Sequence, residues 1–261
     1  MRLMTWRVLC LLGVAALAVV AQAGVVVEME EKELGKTDRV TQVVVQLQEG
    51  KLRVHSKSSA GEEAVVIFDE SKQVLWLVDY QGRSYVEMTA ADVEQMGQGM
   101  RQMQEELAQM PPEERKMVEQ MMKQRMGQQM AAAPDVTVQV KARGERVGPY
   151  VCTRYDVLAD GKRTKELWAA PLGDVQLQEA DFKTFRAMGD FFEPLRRNMP
   201  MQMSWGAPAD LEVEGFPVRW VNYEGERAAG EGKVLSAERK NLEASVFAVP
   251  PGFKKTKGGW E

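Results

Sequence analysis

Thr41-Gln42-Val43-Val44-Val45-Gln46-Leu47-Gln48-Glu49-Gly50-Lys51-Leu52-Arg53-Val54-His55-Ser56 decides the fold class. Thr41, Val43, Val45 and Leu47 alternate with Gln42, Gln46 and Gln48, the period of two of a half-buried strand. Glu49-Gly50 then turns the chain into Lys51 to Ser56. The same pattern extends through Gly24 to Met88. Ala64 to Phe68 and Val74 to Val78 are nearly continuous apolar runs, separated by the polar turn Asp69-Glu70-Ser71-Lys72. Such runs suggest strands covered on both faces. Gln81-Gly82 turns into Ser84 to Met88. Short strands joined by tight polar turns predict an antiparallel meander.

The period then changes. Thr89 followed by Asp92 is a helix start of the capping-box type. Val93, Met96, Met100, Met103, Leu107 and Met110 follow on one helical stripe. Pro111-Pro112 ends this helix and begins another, with Glu113 and Glu114 favourable against its dipole. Met117, Val118, Met121, Met122 and Met126 make a second, broader apolar face, so a helical hairpin is expected over about 89–130. Strands return at Val136 to Lys141. Tyr150 to Leu158 and Arg163 to Ala170 flank the hairpin turn Asp160-Gly161. A helix is expected at Ala180 to Arg197, with Phe182, Phe185, Met188, Phe192 and Leu195 as its apolar set. Phe216 to Tyr223, Lys233 to Arg239 and Ser245 to Val249 read as the last strands. The expected class is α+β: one large, curved antiparallel sheet with helices packed on one face.

Residues 1–23 have the form of a secretory signal. Arg2 and Arg7 precede an uncharged apolar run of thirteen residues, Val8 to Val20. A bilayer-spanning helix needs roughly 20 residues. Ala21-Gln22-Ala23 offers the small residues that a signal peptidase reads, with cleavage expected before Gly24. A single domain over 24–261 and a periplasmic location follow. Cleavage takes the formal charge from −4 to −6, which argues against nucleic acid as a partner. It leaves Cys152 as the one cysteine, expected as a buried small hydrophobe without an internal disulfide. No later stretch resembles a membrane-spanning helix, and the basic Lys254, Lys255 and Lys257 are expected as a solvated end.

Catalytic signatures are missing from the sequence. His55 is the lone histidine, no Gly-x-Ser-x-Gly elbow occurs, and no glycine-rich phosphate loop is present. The expectation is a protein that is not an enzyme and carries no cofactor. The unusual feature is methionine: seventeen in all, nine of them between Met96 and Met130. Methionine is unbranched and polarizable and adapts to varied apolar partners. Three readings stay open. The helices close an ordinary core, with an exposed methionine patch then serving as a partner surface. Alternatively, Val93, Met96, Met100, Met103, Leu107, Met110, Met117 and Met121 line an adaptable lid over a cavity that accepts a lipid or acyl chain. Or thioethers bind Cu(I), with Met199, Met201 and Met203 at alternate positions beside Trp205 and His55 as a further donor.

Tyr150-Val151-Cys152-Thr153-Arg154-Tyr155-Asp156-Val157 and Glu166-Leu167-Trp168-Ala169-Ala170 resemble an exported bacterial family known only as a domain of unknown function, DUF4412. The ending Ser245-Val246-Phe247-Ala248-Val249-Pro250-Pro251-Gly252-Phe253 is similar to that family's close. In architecture such proteins are similar to lipoprotein carriers of the LolA and LolB type. That resemblance implies a half-open antiparallel barrel, helices as a lid, an apolar cavity, and a lipid or lipoprotein acyl chain as partner. Tyr155 and Trp168 would be structural anchors rather than a site.

Overall fold

The structure is a computed structural model and describes residues 23–35, 39–111, 113–115, 117–118, 135–196 and 213–257. Twelve strands form one sheet: β1 (Gly24–Glu33), β2 (Val40–Gln48), β3 (Lys51–Ser58), β4 (Glu63–Asp69), β5 (Val74–Asp79), β6 (Ser84–Thr89), β7 (Val136–Val147), β8 (Tyr150–Ala159), β9 (Lys162–Ala170), β10 (Phe216–Glu224), β11 (Arg227–Lys240) and β12 (Lys254–Thr256). Their spatial order is β12-β6-β5-β4-β3-β2-β1-β11-β10-β9-β8-β7. Two meanders therefore meet where β1 pairs β11, and the sheet ends open at β12 and β7. A sheet this wide twists and curls. Bulges in β7, β10 and β11 add to the bend. The result is a curved antiparallel half-barrel.

Helices cover one face, called inner below. α1 (Ala90–Gln109) starts at the expected box: the Asp92 amide donates to Thr89 Oγ1 at 3.2 Å, and the Thr89 amide donates to the Asp92 carboxylate at 2.7 Å. The Thr89 hydroxyl and amide together hold the Asp92 carboxyl below the usual range. α2 (Glu179–Phe191) and α3 (Glu193–Arg196) replace the single helix expected over 180–197. Pro194 is the reason: without an N–H, and with its ring against the preceding turn, it cannot continue α2. α1 crosses α3 closely because Gly97 has no side chain; a Cβ there would lie 2.7 Å from the Pro194 carbonyl oxygen.

Phe185, Met188 and Phe191 of α2 bury into the inner face of β1 to β5, against Val25, Val27, Val45, Leu47, Leu52, Phe68 and Leu75. Phe68 meets Phe191 edge-on, 5.5 Å between centroids. Arg239 of β11 donates to Asp181 of α2 and to the Ala23 carbonyl, tying the helix to the β1–β11 seam.

Two expectations for the C-terminus are corrected. Residues 245–249 are not a strand; Ala244–Phe247 form a 3₁₀ turn. Phe247 is used as a plug, packing against Val65, Ile67 and Val78 on the outer face of β4 and β5. Lys254 and Lys255 are not a free solvated end. They belong to β12, which pairs β6 in parallel, and Lys255 Nζ donates to Glu87 at 2.7 Å. The double cover expected for β4 and β5 is present, since this plug lies on one face and α2 on the other.

Candidate functional site

Cross-strand register places one continuous row of side chains across seven strands: Thr41, Glu31, Gly232, Trp220, Leu167, Tyr155 and Val140. The next row toward the strand ends runs Glu33, Gly230, Asn222, Lys165, Val157 and Val138. Directly paired residues point to the same side of a sheet. Both rows therefore keep to one face of the sheet, the face of Val27 and Val45 on β1 and β2, whereas on β8 and β9 the side chains that join the helix-covered core, Cys152, Trp168 and Ala170, alternate with them. Their chemistry changes along their length. The β1, β2 and β11 end is polar and glycine-rich, whereas the β7 to β9 end is apolar.

The apolar end is a core of its own. Tyr155, Val157, Leu167 and Ala169 are buried, with Val138, Val213 and Trp220 packed against them. No helix residue among the described residues contributes to this cluster. The Tyr155 hydroxyl accepts from the Glu214 amide at 3.2 Å, so this tyrosine anchors the chain entering β10. Trp220 and Val138 are half-buried and Val140 is 49% exposed, leaving apolar surface open at the margin.

The polar end holds a groove of about 320 Å³ between β1, β2, β10 and β11, lined by Glu31, Arg39, Thr41, Trp220, Asn222 and Gly230 among others. Glu31 opens to water at its mouth, yet the curved sheet crowds its carboxyl. Loss of hydration pushes the Glu31 pKa up against the pull of Lys165, and pushes the Lys165 pKa down against the pull of Glu31.

The sequence-derived stripe on α1 divides in two. Val93 is fully buried and Met96 and Met100 pack on the main core, so this part closes the interior. Leu107 and Met110 are half-buried, Met103 is 39% exposed and Met117 64% exposed. Met121 of the same stripe lies outside the described residues, as do most of the second hairpin helix and the Met199, Met201 and Met203 cluster. Among the described residues, no group of three or more His, Cys, Asp or Glu could hold a metal ion. His55 instead pairs with Glu63 at 2.7 Å on the outer side of β3. Cys152 is buried, and burial together with Asp174 and Glu145 raises its thiol pKa, which removes nucleophilic character.

The motif residues of β8 and β9 have structural partners. By register Trp168 lies between Arg154 and Arg219, and it is buried as part of the main core. Its indole N–H donates to Glu145 at 2.7 Å, and the Arg219 guanidinium sits 4.6 Å from the ring centroid. The model of the DUF4412 family matches residues 70–253.

The chain belongs to the DUF4412 family, a domain of unknown function.

The DUF4412 match takes in Trp220, Asn222 and the whole apolar wall, while Glu31, Arg39 and Thr41 precede it. No curated protein matches this DUF4412 chain. Among solved structures, one of PNGF-II is similar at 4% identity and a TM-score of 0.39, over 90% of this chain and 32% of that one. The chain thus spans about a third of PNGF-II. A LolA superfamily protein from Nitrosomonas europaea is similar at 8% identity and a TM-score of 0.28, over 87% of this chain and 90% of that one. Likenesses this distant carry no argument about function. Among the described residues, no helix is long and apolar enough to cross a membrane.

The sequence pointed to the methionine stripe and missed the groove. Its only sequence trace is the pair Gly230 and Gly232, two gaps on one face of a strand opposite Asn222 and Trp220.

Proposed function

We propose that this protein is a non-enzymatic carrier or binding protein for a lipid or a lipoprotein acyl chain. It works in the periplasm, with residues 1–23 removed as a signal peptide and 24–261 acting as one domain. The observation that carries this reading is the second apolar cluster, Tyr155, Val157, Leu167 and Ala169, which includes no helix residue among the described residues and whose margin at Trp220, Val138 and Val140 stays partly exposed. An acyl chain lies along this wall from Trp220 toward Val140. Met103, Leu107, Met110, Met117 and Met121 supply the adaptable cover, while Val93, Met96 and Met100 hold the base of α1 in place. Each methylene removed from water contributes about 0.8 kcal/mol. A dozen give about 10 kcal/mol before the cost of association, at least about 4 kcal/mol, is subtracted. The remainder, at most about 6 kcal/mol, corresponds to a Kd of roughly tens of micromolar for one chain.

Native mass spectrometry of protein purified from the periplasm tests this. Co-purified lipid, or saturable binding of a fluorescent fatty acid, is the expected result. Protein that is free of lipid and does not bind the probe overturns the reading.

A further inference from the structure

The groove at the polar end of the two rows has three donors without an assigned use. Three tryptophans lie among the described residues. Trp76 Nε1 donates to Glu87 at 3.0 Å and Trp168 Nε1 to Glu145 at 2.7 Å. Trp220 Nε1 has no such partner, and neither the Asn222 amide nor the Thr41 hydroxyl is hydrogen-bonded by its side chain. None of these donors is a buried orphan, since among the described residues only Arg154 Nε is one; they face the water of an open groove and are available to a ligand. Here all three line one groove.

The groove is also built rather than incidental. Gly232 lets the Trp220 indole fold across β11; a Cβ at that position would lie 2.2 Å from the ring. Gly230 leaves the space beside Asn222 open; a Cβ there would lie 3.7 Å from the Asn222 amide nitrogen and 3.2 Å from the Lys32 carbonyl oxygen. The side wall is therefore a half-exposed aromatic ring, and the floor is backbone.

We propose that this groove binds a neutral, hydroxyl-rich ring, the sugar headgroup of an amphiphile whose acyl chain occupies the apolar wall. The inference rests on the carrier reading for the tail alone. An indole offers a flat apolar surface to the C–H face of a pyranose. Trp220 Nε1, Asn222 and Thr41 present donors open to the groove, and sugar oxygens are acceptors. Glu31 and Glu33 accept from sugar hydroxyls, and Arg39 donates to them. A quaternary ammonium headgroup supplies no acceptor for these donors. A phosphate does, but Glu31, Glu33 and Glu231 balance Lys32, Arg39 and the neighbouring Lys165, so the groove offers no net positive charge to draw an anion.

The test is a two-dimensional NMR titration of the whole mature protein, following the Trp220 indole N–H, assigned by its disappearance in Trp220→Phe. The probes are maltose, dodecyl maltoside below its micelle concentration, dodecylphosphocholine and dodecanoate. Maltose and dodecyl maltoside are expected to move the indole signal to the same position, the maltoside at far lower concentration. Asn222→Ala should weaken maltose about two- to tenfold, the loss of one hydrogen bond. Dodecanoate binding without any maltoside effect on Trp220 overturns the sugar assignment and leaves the carrier reading standing. Dodecylphosphocholine moving the indole as far as the maltoside also overturns it. A response to maltose with no gain from the dodecyl tail supports the sugar site and counts against the carrier. No response to any probe overturns both.

Discussion

The two halves of the inner face share one sheet and differ in what covers them. Over β1 to β5, α2 inserts Phe185, Met188 and Phe191 into strand side chains that are almost wholly buried. Over β8 to β10, Cys152, Trp168, Ala170, Phe216, Val218 and Val221 join that same core, while Tyr155, Val157, Leu167 and Ala169 form a second cluster with no helix residue among the described residues, and Trp220 borders an open polar groove. The first half is packed as a protein interior is packed. The second joins an apolar wall to a polar trough along one row of residues, the profile of a surface for an amphiphile. The stabilising side chains and the proposed binding side chains are thus separable, and substitutions should separate them.

The largest effect is expected in the packed half. Phe191→Ala should cost about 3–5 kcal/mol, the range for a buried aromatic, read as a lower urea midpoint. The folded fraction should still show the maltoside response at Trp220. If the response vanished with the packing, the two halves would be one unit.

Gly97→Ala comes next. Its methyl would press the Pro194 carbonyl and push α1 off α3, at about 1–3 kcal/mol, offset in part by about 1 kcal/mol of helix propensity. A net loss in thermal melting is expected. A gain would mean that α1 is not seated on α3.

Trp220→Phe should act in the opposite way. It leaves an aromatic ring at a half-exposed site and should change stability by less than about 1 kcal/mol, while maltoside affinity falls severalfold in calorimetry. Equal loss of stability and binding would make Trp220 a core residue.

The smallest effect is a pH dependence. Desolvation raises the folded pKa of Glu31. As pH rises, the unfolded chain releases this proton first, so the ionised carboxylate weighs against the fold. Glu31→Gln should be neutral to stability below the usual carboxylate range and slightly stabilising above it, by a fraction of a kcal/mol given its contact with water. Asp92 provides the contrast. Its folded pKa is depressed, so its contribution is present at neutral pH and fades as pH falls through the folded value. Asp92→Asn should lose stability at pH 7 and not in acid. Denaturant titrations at several pH values check both signs.

What the sequence showed follows the range of the forces involved. β2 to β6 were legible because alternation and turn residues are local, and the α1 start because Thr89 and Asp92 satisfy each other within one turn. The break between α2 and α3 was also written locally, in Pro194, but the apolar spacing through Phe192 and Leu195 masked it. Phe247 as a plug and β12 as a parallel edge strand were not legible, since both depend on β4 to β6 being already assembled. The α1 stripe gave the correct periodicity without showing where packing stops, between Met100 and Met103. The groove draws on Glu31, Thr41, Trp220 and Asn222, and the bulge of β11 at Leu235 sets which of its residues face inward. No short-range pattern reports that register.

The most direct test is to locate a bound chain. A doxyl-labelled fatty acid carried by the isotopically labelled protein should broaden the amide signals of Tyr155, Val157 and Leu167 and the Trp220 indole, and leave Val27, Val45 and Phe68 sharp. Broadening confined to the β1 to β5 half, or to the outer face around Phe247, would contradict the account.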